Sequence, residues 1–115
     1  MNKDRKTFNK LVRDKIPEIL KSGGANPEIQ ILGDEEYYTK LNEKLLEECN
    51  EAIAACDKNN LTEELADLLE VMHSTAKYKE INFEDIEKIR IVKKEKRGSF
   101  DSKILLKSTE IIQNL

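Results

Sequence analysis

An all-α fold is the expectation from this sequence: a bundle of about four helices, completed by oligomerisation and leaving room for one small β-hairpin. Three observations predict it. Apolar residues recur at helical spacing in four stretches, capping residues and glycines punctuate those stretches, and the two longest are joined by a very short connection. The 115 residues amount to a single domain over 1–115, with too little core for a second.

The elements follow in order. Leu11 to Lys21 carries Leu11, Ile16, Ile19 and Leu20 at helical spacing and stops at Ser22, Gly23 and Gly24. Pro17 inside it predicts a break or a late start, because proline removes a helical N–H donor. "EIQIL" at 28–32 alternates apolar and polar residues as a short strand does, and "KILLK" in the ambiguous C-terminal tail is its candidate partner. Asp34 is the expected N-cap of a second helix reaching about Asp57, with Glu35 and Glu36 in the first turn where the helix dipole favours anions. "DKNN" breaks that helix. Asn60 with Glu63 three places on resembles a capping box opening a third helix, which runs to about Lys79 as an antiparallel neighbour of the second. Asn82 with Asp85 caps a fourth, "FEDIEKIRIVKKEKR", ending at Gly98.

Composition narrows the function classes. Charged residues make up 37% of the chain, hydrophobic residues 38%, and the formal net charge is −3, which gives no general drive toward nucleic acid. No apolar run approaches the roughly 20 residues that cross a bilayer, and the charged N-terminus is not followed by an apolar leader core. A cytoplasmic chain without membrane or nucleic-acid partners is the expectation. Cys49 and Cys56, seven apart in one expected helix and so about 10 Å apart along its axis, are read as reduced core residues.

Acidic residues stand where a helical core would want leucine. On a wheel of about 100° per residue, Leu41, Leu45, Cys49, Ala52 and Cys56 share one arc of the second helix, and Glu48 lies only about 20° outside it. Glu51 comes next on the same side. In the third helix, Glu64 projects between Leu68 and Val71 inside the apolar arc, and Asp67 lies just past Val71. Each helix thus carries an i, i+3 acidic pair, and folding back about "DKNN" brings the pairs to similar levels. Four converging carboxylates repel, and their partial burial costs several kcal/mol each unless positive charge compensates. Hard divalent cations, which prefer oxygen ligands and keep waters that a phosphate displaces, suit such a nest. The plainer alternative is a solvated acidic rim with lysines nearby. His73, Tyr37 and Tyr38 read as packing or surface residues.

The same residues carry a resemblance. "EECNE", then twelve residues, then "ELAD" resembles the EExxE, spacer, ExxD signature of the all-alpha NTP pyrophosphohydrolase superfamily, which includes MazG-like enzymes, dimeric dUTPases and phosphoribosyl-ATP pyrophosphohydrolases. "FNKLVRDKIPEIL" and "KRGSF" resemble the two ends of a small phosphoribosyl-ATP-pyrophosphohydrolase-like branch, so the likeness spans about residues 8 to 107. It implies a Mg²⁺ cofactor, with Mn²⁺ as a substitute, held by Glu48, Glu51, Glu64 and Asp67. Glu47, on the outer side of its helix, matches the first glutamate of the signature, with a catalytic role in ordering water or a second metal as one reading and a plain surface position as the other. The implied reaction is hydrolysis of a nucleotide between its α and β phosphates, giving a monophosphate and pyrophosphate. The implied assembly is a homodimer or homotetramer.

Phosphates need cationic donors, and two basic clusters are candidates: Lys10 and Arg13 in "KLVRDK", and Lys96 and Arg97 in "KRGSF". Lys93 and Lys94 are read as complementing the helix C-terminus. Two further readings stand beside the nucleotide hydrolase: the phosphoribosyl-ATP activity of histidine biosynthesis, and a non-catalytic nucleotide-binding regulatory protein.

Overall fold

A computed structural model describes residues 4–111. The chain is all-α, and its described residues form four helices: α1 (Ile16–Ser22), α2 (Asp34–Ile53), α3 (Lys58–Tyr78) and α4 (Phe83–Arg97). They divide into two units, one ending at Ile81 and one beginning at Asn82. The last four residues of the tail, 112–115, lie outside the described residues.

In the first unit, α2 and α3 pack together as a helical hairpin. Its interior is small: Leu41, Val71 and Ala76 are the buried apolar side chains among the described residues, and Glu48 is buried with them at 5% exposure. The far end of the hairpin from the 54–57 turn is closed by aromatic contacts. Tyr38 stacks on Tyr78 with ring centroids 4.9 Å apart, Tyr37 meets the same ring edge-on at 5.7 Å, and the Lys79 ammonium lies 4.4 Å from the Tyr38 centroid. These tyrosines therefore pack against α3, as aromatics with a large apolar surface do.

Several boundaries differ from expectation. The first helix starts late, at Ile16, with Pro17 in its opening turn where a missing N–H costs nothing. Asp34 is the first residue of α2 and not its cap; Gly33 holds the cap position in extended conformation. At the other end α2 stops at Ile53, four residues short of Asp57. Asp57, and not Asn60, caps α3, accepting a hydrogen bond from the Asn60 N–H at 2.8 Å. That cap requires the chain to reverse before residue 57, so Cys56 falls in the turn and is exposed instead of lying on the core arc. "EIQIL" forms no strand, and no strand occurs among the described residues. Five residues bounded by Pro27 and Gly33 cannot hold extended pairing without a laddered neighbour, and Ile31 remains 87% exposed. The hairpin that the sequence left room for does not form among the described residues.

The second unit contains α4 and the segment after it. Asn82 caps α4 as expected, its side chain accepting from the Glu84 N–H at 3.0 Å, and Gly98 ends the helix at φ 82°, a conformation glycine takes without a Cβ penalty.

Candidate functional site

The acidic signature lies on the packed α2–α3 hairpin, with Glu47, Glu48 and Glu51 on α2 and Glu64 and Asp67 on α3. Glu48, Glu51 and Glu64 each present a carboxylate oxygen within 4.8 Å of the others. Helical spacing puts Glu48 and Glu51 on one side of α2, and the turn at 54–57 brings Glu64 of α3 opposite them. Both Glu48 Oε2 and Glu64 Oε2 are buried without a hydrogen-bond partner among the described residues. Native interiors rarely leave acceptors this way, because each such group forfeits its hydration.

The electrostatics express the crowding. Burial pushes the Glu48 carboxyl above its ordinary range, the Lys44 ammonium partly opposes that, and the neighbouring Glu51 carboxylate pushes it up again. Lys44 Nζ stands 3.3 Å from Glu48 Oε1 and 3.3 Å from Glu47 Oε2. The sequence reading passed over Lys44, although its i, i+3 and i, i+4 spacing to two glutamates on α2 is a signal for ion pairing. Asn60 was likewise read only as a cap. It donates from Nδ2 to Glu64 Oε1 at 3.4 Å and accepts from the Cys56 N–H at 3.3 Å, tying the turn to the acidic cluster.

The remaining acids are held differently. Glu47 is drawn below its ordinary range by the hydrogen bond from Lys10, whose Nζ lies 2.9 Å from Glu47 Oε1. Asp67, one turn beyond Glu64, does not join the three clustered carboxylates; its Oδ1 accepts from Arg13 Nη2 at 2.8 Å. Lys10 and Arg13 thus span the rim, one reaching α2 and the other α3. Lys96 and Arg97, in the last turn of α4, belong to the second unit.

The residue set suits a hard cation: three carboxylates from two helices, two of them with a buried orphaned oxygen, and no soft ligand among the three. Positive charge at this point would offset both the burial that raises the Glu48 carboxyl and the added repulsion from Glu51.

The MazG nucleotide pyrophosphohydrolase domain matches residues 36–99, which contain both acidic pairs. A protein of Mycolicibacterium smegmatis (strain ATCC 700084 / mc(2)155), described as uncharacterized, is 49% identical over 45 residues, covering 39% of this chain and 46% of that protein. The chain therefore spans about half the length of this curated relative. No solved structure matches it.

Proposed function

Because the chain belongs to the MazG nucleotide pyrophosphohydrolase domain family, we propose that it hydrolyses a nucleoside triphosphate between the α and β phosphates, with Mg²⁺ as cofactor, releasing a monophosphate and pyrophosphate. The observation that carries this reading is the convergence of Glu48, Glu51 and Glu64 within 4.8 Å, two of them with buried, unpartnered oxygens. Asp67 completes the ligand set once it is released from Arg13.

A bound divalent cation supplies charge neutralisation for the phosphates and acidity for the attacking water. The chain's own residues do the rest. Glu48 and Glu64, fixed by the helix packing, define the position of the positive charge, and Glu51 at the exposed margin faces the substrate side. Glu47, kept anionic by Lys10 and Lys44, accepts a hydrogen bond from water at the rim and orients it. Arg13 and Lys10, which pair with Asp67 and Glu47, are the phosphate-binding cations of this reading. Lys96 and Arg97 belong to this reading through the resemblance of "KRGSF" alone.

A second copy fits the reading. Leu61, Leu65, Leu69 and Met72 line one stripe of α3 and remain 39 to 49% exposed, which supports a homo-oligomer that covers them. No described helix is long and apolar enough to cross a membrane.

The test is a panel of nucleotides assayed for pyrophosphate release with Mg²⁺ or Mn²⁺, alongside Glu64→Gln. The expected outcome is release from at least one triphosphate, lost on chelation and reduced at least 100-fold by the substitution, the scale of removing one preorganised electrostatic group. Full activity of Glu64→Gln would remove the acidic cluster from the reaction.

A further inference from the structure

Within the first unit, the irregular segment from residue 4 to residue 15 is held mainly by polar side chains; Leu11 is half-buried, and none of its apolar side chains is fully buried. Arg5 donates to the Asn26 carbonyl at 3.1 Å, Lys40 donates to the Asn9 carbonyl at 3.5 Å, and Phe8 and Val12 remain largely exposed. Its two strongest ties both end on the acidic signature, Lys10 on Glu47 and Arg13 on Asp67. A segment anchored in this way can change partners without losing core packing or a helical ladder.

We propose that Arg13 is an exchangeable counter-ion of this site: it holds Asp67 away from Glu48, Glu51 and Glu64 until a divalent cation takes the carboxylate, and the freed guanidinium then turns to substrate phosphate. The inference rests on the reading of the three glutamates as a cation site. Three facts point to exchange in place of a permanent bridge. Asp67 sits at i+3 from Glu64, on the same side of α3, yet its carboxylate is the one member of the two acidic pairs outside the 4.8 Å cluster. The Arg13 and Asp67 side chains are 58% and 42% exposed, so the pair is solvent-screened and weak. A twofold-charged hard cation beside three carboxylates competes for Asp67 more strongly than one screened guanidinium does. Lys44 is placed otherwise: it grows from α2 itself, is only 20% exposed, and bridges Glu47 and Glu48, so it stays with the helix as a fixed charge.

Exchange has a sign that other roles lack. Removing Arg13 frees Asp67 in advance, so the cation binds more tightly even though a phosphate contact is lost. The turn that starts α1 uses the Arg13 backbone carbonyl and not its side chain, the carbonyl accepting from the Ile16 N–H at 3.0 Å, so Arg13→Gln keeps that turn.

The experiment is calorimetric titration of the full chain with Mn²⁺ alone, at low salt, for the parent, Arg13→Gln, Asp67→Asn, the double variant and Glu64→Gln. The expected result is that Arg13→Gln tightens Mn²⁺ binding about three- to tenfold, the scale of releasing one screened ion pair and one repelling charge. In the Asp67→Asn background the same substitution should change affinity less than twofold, since the pair is already gone. Unchanged or weaker binding by Arg13→Gln, with Glu64→Gln still weakening it, overturns the exchange and leaves the cation site standing. Equal tightening in both backgrounds reduces Arg13 to a general charge effect and also overturns it. Parent-like Mn²⁺ binding by Glu64→Gln removes the cation site, and the exchange falls with it.

Discussion

Glu48 is the residue where folding and chemistry oppose each other. It lies at 5% exposure against the hairpin core, with one oxygen on Lys44 and the other unpartnered. An unsatisfied buried polar group costs about 1 to 3 kcal/mol, a large share of a small domain's stability. Burial raises the Glu48 carboxyl above the range it has in the unfolded chain. With the folded value the higher one, the fold holds the proton longer, so stability is full below the unfolded range and falls as pH rises through the raised value. Glu48→Gln should therefore raise the melting temperature of the metal-free protein at neutral pH. Its advantage over the parent should shrink as the pH is lowered toward the ordinary glutamate range. A variant that melts lower at neutral pH would show that the Lys44 pair outweighs the burial. Wheel positions were enough to find Glu48 and Glu64 as the two acids facing inward, because helical period alone fixes which residues share a face. They could not find the Arg13 to Asp67 pair, which depends on the path of an irregular segment without periodicity.

At the scale of elements, the decisive feature is the turn at 54–57, since its geometry sets which α3 residue stands opposite which α2 residue. Asp57 makes the turn by capping α3 through the Asn60 N–H. Asp57→Ala should cost about 0.5 to 2 kcal/mol, read as a lower midpoint in urea unfolding with an unchanged slope. A loss well below that range would mean that Asn60 can take over the cap. Asp57 and Asn60 are both good capping residues and lie three apart, so helical periodicity favours neither. Choosing Asn60 carried the second helix too far and placed Cys56 inside it. The Asn82 cap was legible because Glu84 and Asp85 suit the acid-favouring first turn that follows it, and the Gly98 stop because no other glycine lies near it. The strand expectation for "EIQIL" failed for a different reason: alternation describes one strand, while a strand exists only with a partner.

At the scale of the whole molecule, few apolar side chains are buried among the described residues, and a leucine and methionine stripe along α3 stays exposed. A core this small is marginal for independent stability, so a second copy over that stripe is the arrangement we propose. Light scattering behind a sizing column should give a multiple of the 13.3 kDa chain mass. The paired substitution Leu65→Lys and Leu69→Lys should shift it toward the monomer and lower the melting temperature; a monomeric parent would contradict the proposal. The α-helical character and the family were both legible in sequence, from periodicity and from the two acidic pairs with their spacing. Which phosphorus this assembly of acids serves is a matter of substrate placement, which residue spacing does not encode. The most direct measurement is phosphorus NMR of the products of a cleaved triphosphate, formed in oxygen-18 water with Mg²⁺. Attack at the α phosphorus predicts the label in the nucleoside monophosphate, with unlabelled pyrophosphate. Label in pyrophosphate alone, or orthophosphate as the first product, would contradict it.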